Sequence, residues 1–328
     1  MTEQQHEIVW RLSTAGFAAR CIQLVADLGV ADRIGDSAVP ITDLAASCEV
    51  NADALNRVLR LLAAHGVFEN RDGGYGHTPP SRLLRADHPR SMRAFSQMMG
   101  LPVIWGSLTE LEHSVRNGRP GLETLEPKGI WAYLQAHPGE ADIFGRAMTA
   151  KAAAEVAAVL DAYDFSGLGT IADIGGGRGH LLRAVLDTAP QSHGILFDLP
   201  DVIDSLDTGH ERMATVAGDF FVDRLPVADV YVLMEVLHDW ADEESVALLH
   251  AIRRVACDGS RLLIIEGVIP GEQADPRAST LDIIMLTVTG GRERTADALS
   301  ALCEQASFCL DKVVATASPM HIIEARPV

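Results

Sequence analysis

The chain has 328 residues, of which 48% are hydrophobic and 22% charged, and this composition excludes a disordered or low-complexity polypeptide. Its 27 Lys and Arg stand against 45 Asp and Glu, and the net charge of -18 disfavours nucleic acid as the main partner. The five cysteines are scattered and form no C-x-x-C pair, so neither a disulfide framework nor a zinc site is predicted and a reducing cytoplasm fits best.

The N-terminus, MTEQQHEIVWRL, has no charged region followed by an apolar run, and no segment reaches the ~18 apolar residues that span a bilayer. We therefore expect a soluble, unprocessed chain without a membrane partner. The first predicted element is an amphipathic helix over residues 16–28, in which apolar residues recur at steps of three and four. Gly29 is expected to close this helix.

Two short helices and a β-hairpin are predicted next. Asn51 can cap the second of these helices, which the apolar spacing extends to Gly66. The hairpin turn, Arg71-Asp72-Gly73-Gly74, contains glycines that supply the positive φ a tight turn needs. This order of elements is typical of a winged-helix domain, which we assign to residues 1–90.

A winged helix can bind DNA or serve as a dimerisation scaffold. The helix that would read DNA, residues 53–65, offers Arg57 and Arg60 but is otherwise mostly Leu and Ala, and the acidic chain has no wider basic stripe. The apolar stripes at residues 17–28 and 55–62 instead need a partner surface, which predicts a homodimer through this domain. A DNA-binding regulator is the alternative.

Residues 91–158 have the pattern of successive helices, and most of their large apolar side chains are expected to form ordinary core. Met and aromatic side chains together also make an adaptable, flat-walled pocket of the kind that a planar aromatic substrate requires. We therefore predict a helical linker that contributes to an acceptor pocket. The candidates for lining it are Met99, Trp105, Phe144, Met148 and, later in the chain, Met285.

From residue 159 onward, short apolar strands alternate with helices, which predicts a Rossmann-like α/β domain with a parallel sheet. Its first strand, residues 171–174, runs into a glycine-rich turn at 175–179, where a ligand is expected. The glycine spacing does not match the dinucleotide pattern G-x-G-x-x-G. Asp173 would also repel a pyrophosphate but attract an ammonium group, so a zwitterionic cofactor fits better.

Two later segments add the parts of an adenosine site. Asp198 ends the second strand and can accept hydrogen bonds from both hydroxyls of a ribose. Gly218-Asp219-Phe220-Phe221 lies ahead of the strand at 230–234, where Asp219 can accept from an adenine amine and Phe220 can pack on the ring.

These segments resemble the S-adenosylmethionine-dependent O-methyltransferases of the caffeate and bacterial polyketide type. The likeness covers nearly the whole chain and depends on DIGGGRG at 173–179, FDLP at 197–200, GDFF at 218–221, LHDW at 237–240 and GGRERT at 290–295. It implies a class I methyltransferase fold at 159–328, an N-terminal winged-helix dimerisation domain, a helical acceptor pocket at 91–158, and a role in secondary metabolism such as antibiotic biosynthesis.

The resemblance also implies residue roles. His238 is the general base, with an imidazole suited to proton abstraction, and Glu266 and Glu293 orient it. An exposed ion pair of Glu293 with Arg292 or Arg294 is the structural alternative. The cofactor is expected to contact Asp173, Gly175, Gly177, Asp198, Leu199, Gly218, Asp219, Phe220 and Trp240, and the acceptor to contact Asp239 beside the pocket residues given above.

Many relatives carry Lys or Arg four residues before the catalytic histidine to hold the cofactor carboxylate, whereas this chain has Met234 there and Glu235 beside it. The predicted reaction is methyl transfer, without a metal, to a phenolic or enolic hydroxyl of an aromatic, polyketide-like small molecule, leaving S-adenosylhomocysteine. The alternative is an enzyme of the same fold that keeps the cofactor for hydroxylation or another non-transfer reaction.

Overall fold

A computed structural model of the chain describes residues 5–71, 73–206, 209–269 and 275–328. The chain divides into two compact units, one comprising Met1–Trp105 with Gly139–Lys151 and the other Gly106–Pro138 with Ala152–Val328. The domain limits at residues 90 and 158 stay a prediction.

The first unit begins with the predicted order of helix, turn, helix and hairpin. Its helices are α1 (Gln5–Asp27), α2 (Ile41–Ser47), α3 (Ala52–Ala64) and α4 (Pro79–Arg82), with a 3-10 helix at Val30–Arg33. Strands β1 (Val39–Pro40), β2 (Phe68–Arg71) and β3 (Gly74–His77) pair in the order β1-β3-β2. The Asn51 side chain caps α3 by accepting from the Ala54 N–H at 2.9 Å, as predicted.

The apolar face of α3 is covered within the first unit itself. Leu55, Leu59 and Leu62 recur at steps of four and three, and each is at most 3% exposed in a core that includes Phe68 and Tyr75. The expectation that residues 55–62 present a stripe to a partner is therefore wrong. The winged helix needs this stripe for its own core, because the hairpin alone has too little apolar surface to bury.

Helix α1 begins at Gln5, well before the predicted start at residue 16, and residues 5–13 are all exposed. The early half was missed because its large apolar side chains do not form one stripe: Ile8 and Leu12 lie on one side, and Trp10 and Phe17 on another. The end of the helix is as predicted, with Gly29 in the left-handed conformation at φ 62°.

Two different constraints place the glycines of the hairpin. Gly73 has φ 77°, as the turn requires, while Asp72 lies outside the described residues. Gly74 has no positive φ, but a Cβ there would collide with the backbone carbonyl of Val39 in β1. Pairing with β1, a strand that the sequence analysis did not predict, therefore explains why residue 74 is glycine.

The segment between residues 91 and 158 forms successive helices, as predicted. They are α5 (Arg93–Met98), α6 (Pro102–Thr109), α7 (Leu111–Asn117), a 3-10 helix at Gly121–Thr124, α8 (Gly129–Ala136) and α9 (Pro138–Ala162). Among the helices of the described ranges, none combines the length and hydropathy that crossing a bilayer requires.

The second unit contains a seven-stranded sheet in the order β6-β5-β4-β7-β8-β10-β9. The strands are β4 (Thr170–Ile174), β5 (His193–Asp198), β6 (Met213–Ala217), β7 (Val230–Met234), β8 (Arg261–Gly267), β9 (Phe308–Ala315) and β10 (Met320–Pro327). The strands from β4 to β8 are parallel, as predicted, but β10 is antiparallel to both β8 and β9. The helices are α10 (His180–Thr188), α11 (Pro200–Asp204), α12 (Asp242–Arg253), α13 (Pro276–Val288) and α14 (Ala296–Gln305), with a 3-10 helix at Leu237–Asp239.

Both faces of this sheet are covered. In β8, Leu262 and Ile264 pack with residues of α12 and α14, whereas Leu263 and Ile265 pack in a second core with residues of α10. The continuous apolar run of β8 follows from this burial on two sides. The chain order reverses at β4, so ligand-binding loops are expected at the carboxyl ends of the strands around it.

We expect Gly74→Ala to lower the free energy of unfolding by about 1–3 kcal/mol, because the added methyl group must displace the backbone of β1. Gly35→Ala is the control, since a Cβ there meets nothing within 4 Å and its change should stay within about 0.5 kcal/mol. Urea denaturation of both variants measures the difference. Equal stability of the two would contradict the close approach of β1.

Candidate functional site

The candidate site lies in the second unit, where five parallel strands end at one edge of the sheet. The glycine turn follows β4, Asp198 is the last residue of β5, and Gly218 follows β6. His238 follows β7, and Glu266 lies near the end of β8. Strand order thus gathers residues that are up to 93 positions apart in the sequence, between 173 and 266.

The glycine turn combines left-handed backbone with close packing. Gly175 and Gly177 have φ of 70° and 56°, which favours glycine at both positions. A Cβ on Gly176 would approach the Asp173 carboxyl group to 2.5 Å, whereas a Cβ on Gly177 would meet nothing within 4 Å. The turn therefore packs tightly on its inner side at Gly176, which was not among the predicted contacts, and leaves space beside Gly177.

Asp173 and Asp198 form a buried acidic pair beside this turn. Asp173 is 2% exposed, and its Oδ1 has no hydrogen-bond partner among the described residues. Burial, with a contribution from the charge of Asp198, raises the pKa of Asp173 to about 7. Asp198 accepts the N–H groups of Gly177 and Leu199, each at 2.7 Å, and burial raises its pKa against the effect of these bonds.

These two carboxyl groups fit a cofactor that carries both an ammonium group and a ribose. The unpartnered oxygen of Asp173 can receive a cationic donor, and the carboxylate of Asp198 keeps lone pairs for hydroxyl groups. The open space beside Gly177 allows such a molecule to approach the backbone.

An aromatic cluster lies beside the same turn. Trp240 makes edge contacts with Phe220 and Phe221, at ring-centroid distances of 5.7 and 4.7 Å, and stacks at 6.4 Å on Trp131. Asp219 Oδ1 accepts the Phe221 N–H at 2.9 Å, which fixes this loop. Trp131 was not predicted as a site residue, because a Trp in a helical segment carries no motif that separates it from core.

His238 lies on the 3-10 turn after β7 and is 7% exposed. Its Nδ1–H donates to Glu293 Oε1 at 2.9 Å, while Glu266 Oε2 is 3.7 Å from the same nitrogen. The other ring nitrogen, Nε2, is 3.9 Å from Asp239 Oδ1. A carboxylate on Nδ1 leaves Nε2 as the nitrogen with a free lone pair when the imidazole is neutral.

Glu266 is bonded to the backbone of the turn rather than to the imidazole. Its Oε1 accepts the N–H groups of Val236, Leu237 and His238 at 3.1, 2.9 and 3.4 Å. Burial raises the pKa of Glu266 to about 7, opposed by the positive charge of His238 and supported by neighbouring carboxylates. The two carboxylates beside His238 therefore have different contacts, which the sequence did not distinguish.

The charge around His238 is strongly negative. Burial lowers the pKa of the imidazole, but the carboxylates of Glu266, Asp239, Glu293 and Glu235 outweigh it and raise the pKa to about 10.

Glu293 does not form the exposed ion pair that was the structural alternative. It is 6% exposed, and its backbone N–H donates to Asp282 Oδ1 at 2.9 Å. Arg292 and Arg294 instead pair with Asp242, at 3.7 and 2.8 Å.

The predicted acceptor contacts are divided between the two units. Met99, Trp105, Phe144 and Met148 belong to the first unit, and Asp239 and Met285 to the second. The Trp105 indole N–H donates to Gln23 Oε1 at 2.7 Å, and Met285 is 8% exposed. Their role as a pocket stays a prediction. Across the described part of the chain, no group of three or more His, Cys, Asp and Glu side chains is arranged to hold a metal ion.

Comparison with known proteins identifies the class. The family model of the O-methyltransferase domain matches residues 108–309, and that of the O-methyltransferase dimerisation domain matches residues 10–87. The chain therefore belongs to the O-methyltransferase family. The predicted family, the class I methyltransferase fold and an enzyme that uses S-adenosylmethionine are confirmed.

Among its relatives, phenazine O-methyltransferase PhzM of Lysobacter antibioticus is 38% identical over 98% of this chain and 96% of its own length. The crystal structure of LaPhzM superposes with a TM-score of 0.93 at 37% identity, over 99% of this chain and 100% of that one. NcsB1 from neocarzinostatin biosynthesis, solved with S-adenosylmethionine and 2-hydroxy-5-methyl naphthoic acid, has a TM-score of 0.81 at 32% identity, over 95% and 96% of the two chains.

We expect the affinity for S-adenosylmethionine to fall as the pH is lowered from 8 to 6. Asp173 must be ionised to attract an ammonium group, and with its pKa at about 7 it becomes protonated over this range. Isothermal titration calorimetry at several pH values measures the dissociation constant. Asp173→Asn is the control, because its binding should be weaker at pH 8 and depend less on pH. A wild-type affinity that is constant between pH 6 and 8 would refute the role of Asp173.

Proposed function

We propose that this enzyme methylates a phenolic or enolic hydroxyl of an aromatic small molecule, with His238 as the general base. The observation that carries the proposal is the buried 2.9 Å hydrogen bond from His238 Nδ1–H to Glu293. This bond fixes the tautomer and orientation of the ring, so that Nε2 is the basic nitrogen.

When bound, S-adenosylmethionine supplies a methyl group on a positively charged sulfur. Transfer of this methyl group to the acceptor oxygen would leave S-adenosylhomocysteine. His238 Nε2 would take the proton of the acceptor hydroxyl, and the Glu293 carboxylate would stabilise the imidazolium that results. Asp173, Asp198 and the glycine turn hold the cofactor. Much of the rate enhancement then comes from holding the two reactants in place, which supplies up to ~7–11 kcal/mol.

The pKa of about 10 on His238 means that the imidazole carries a proton at neutral pH in the ligand-free protein. Only the neutral form can accept a proton, so activity must rise with pH up to that pKa. The carboxylates that raise the pKa also attract any other cation. A second positive charge in their field lowers the pKa of the imidazole and favours the basic form.

A flat aromatic acceptor is supported by the names of the relatives and by the residue types of the candidate pocket. The relatives include a phenazine O-methyltransferase and an enzyme solved with a hydroxylated naphthoic acid. Met and aromatic side chains favour stacking and dispersion over a hydrogen-bond network. The pocket residues we propose are Met99, Trp105, Phe144, Met148 and Met285, with Asp239 beside the base.

His238→Gln should lower kcat by about 10²–10⁴-fold, the usual contribution of a general base, while binding of S-adenosylmethionine should not become weaker than in the wild type. With one phenolic acceptor, kcat/KM of the wild type should rise with pH across the range below the His238 pKa of about 10, and the variant should lose this dependence. Formation of S-adenosylhomocysteine and of methylated product, followed by mass spectrometry, measures both.

Glu293→Gln keeps the base but removes one carboxylate, so its rise in kcat/KM should move to lower pH. Methylation of the phenol by His238→Gln at the wild-type rate and with the wild-type pH profile would exclude His238 as the base. Product formation without S-adenosylhomocysteine would instead indicate the non-transfer chemistry of the alternative.

We also propose that the chain forms a homodimer through the N-terminal half of α1, residues 5–17. The dimerisation-domain match begins at residue 10, within this half. Trp10 and Phe17, on one side of α1, are 63% and 73% exposed, and Leu12, on the other side, is 65% exposed. Because residues 5–13 are all exposed in the single chain, a second copy that covers these apolar side chains would stabilise the segment.

Leu12→Glu combined with Trp10→Glu should shift the protein to monomer, since each apolar side chain that loses its burial costs about 1.5–3 kcal/mol. Val227→Glu, at a residue that is 58% exposed in the second unit, is the control and should leave the dimer intact. Light scattering at micromolar concentration reports the mass. A double variant that stays dimeric would contradict the α1 interface.

We further propose a reducing, cytoplasmic setting. Support comes from the cysteines, all five of which lie in the described ranges and carry free thiols.

A further inference from the structure

Arg294 is an almost fully buried cation in a chain with a large excess of acids. It is 4% exposed and directly follows Glu293, the carboxylate that receives His238 Nδ1–H. A buried guanidinium is costly unless its N–H groups are bonded, so its acceptors show what it holds in place.

Those acceptors are at both ends of the turn that carries His238. Nη1 donates to the Leu237 carbonyl and Nη2 to the Trp240 carbonyl, each at 2.8 Å. Nε and Nη2 also donate to Asp242 Oδ1 at 3.1 and 2.8 Å, and Nη2 lies 3.2 Å from Ser245 Oγ. A single planar group therefore connects the residue before His238, the residue two positions after it and the first turn of α12.

The backbone beside Arg294 contacts the same turn. The Arg292 N–H donates to the His238 carbonyl at 2.9 Å, and a Cβ on Gly291 would collide with that carbonyl. Glu266 in turn accepts the N–H groups of Val236, Leu237 and His238. The turn is thus bonded through its N–H groups to β8 and through its carbonyl groups to the 290–295 segment.

We propose that Arg294 is a positioning residue for methyl transfer, which holds the 237–240 turn at the distance from Glu293 that the His238 hydrogen bond requires. The Arg294 guanidinium bonds to the turn that carries His238, and the Arg294 backbone directly follows Glu293. One residue therefore fixes the position of His238 relative to the Glu293 carboxylate. The inference rests on the proposed role of His238 as the base.

Lysine keeps the charge of Arg294 but has no planar fork, so it cannot reach the Leu237 carbonyl, the Trp240 carbonyl and Asp242 together. Arg292→Lys is the matched control: the Arg292 side chain is 58% exposed and pairs only loosely with Asp242, and its backbone bond to His238 survives the substitution. Because both variants preserve charge, a difference between them reports geometry.

The first readout is the titration of His238 in the ligand-free protein. The acidic groups around the ring are Glu235, Asp239, Glu266 and Glu293. NMR of histidine labelled with ¹³C at Cε1 gives its pKa, with the resonance assigned by its absence from His238→Gln. Arg294→Lys should lower this pKa, because the ring moves away from Glu293, and Arg292→Lys should leave it at the wild-type value.

The second readout is kcat and KM with a phenolic acceptor. A displacement of about 1 Å at a reacting group can cost roughly 10²-fold, so we expect Arg294→Lys to lower kcat by about 10- to 100-fold. Arg292→Lys should change kcat by less than about twofold, the range expected for an exposed ion pair. The cofactor dissociation constant should be the same in both.

An Arg294→Lys protein with the pKa and kcat of Arg292→Lys would overturn the inference, while inactive His238→Gln in the same assay would leave the proposed function intact. Active His238→Gln would instead overturn the function. If circular dichroism shows that Arg294→Lys does not fold, Asp242→Ala takes its place, since Asp242 is 55% exposed and holds the guanidinium plane. Because Asp242→Ala also removes a negative charge, which by itself lowers the His238 pKa, kcat is the readout for this variant. It should fall below that of Arg292→Lys, and a wild-type kcat would refute the inference.

Discussion

The geometry of the site depends on the hydrogen bonds between the buried carboxylate of Glu266 and the backbone of the turn that carries His238. An ionised carboxylate inside a protein is strongly unfavourable unless donors surround it. Here the chain leaves β7 and folds over Glu266 Oε1, so that the N–H groups of residues 236–238 point at it. Strand pairing determines this placement, because Met234 is in register with Ile265, the residue before Glu266.

Glu266 and Glu293, the two glutamates near His238, have different structural roles. Glu266 sets where the turn is, and Glu293 sets how the ring is rotated and which nitrogen is free. Removal of either would leave different damage: a displaced turn in one case, and a correctly placed ring with the wrong tautomer in the other. The resemblance implies that both orient the imidazole, whereas in the structure only Glu293 is hydrogen-bonded to the ring and Glu266 is bonded to the backbone.

The sequence predicted the sheet better than the N-terminal helix, for physical reasons. A strand buried on both faces, such as β7, shows as an apolar run with clear ends, and its predicted limits at 230 and 234 are those observed. Helix α1 has no single apolar stripe in its first half, so periodicity could not find its start. Strand β1 has only two residues, which is too short for any periodicity to be detected. The glycine at position 74, where a side chain would collide with Val39, is the one sign of this strand in the sequence.

The residues of the candidate site were also predicted only in part from the sequence. Glycines and acids at strand ends were identified because the chemistry of a ligand loop needs those residue types at those places. Trp131 and Arg294 were not, since their importance comes from contacts across more than 50 positions of sequence, as between 294 and 240. An arginine two residues from another arginine has no local pattern that marks it as buried.

The acidic groups of the site create unfavourable interactions that a bound cation would relieve. One oxygen of Asp173 has no hydrogen-bond partner among the described residues, and burial raises the pKa of this carboxyl group to about 7. His238, with a pKa of about 10, holds a proton that partly neutralises the carboxylates around it. A positively charged molecule bound near these carboxylates would stabilise their ionised forms. The pKa of the imidazole and the pKa of Asp173 would then both fall. On the proposed function, the same negative field would favour binding of the cationic cofactor and shift His238 toward its neutral, basic form.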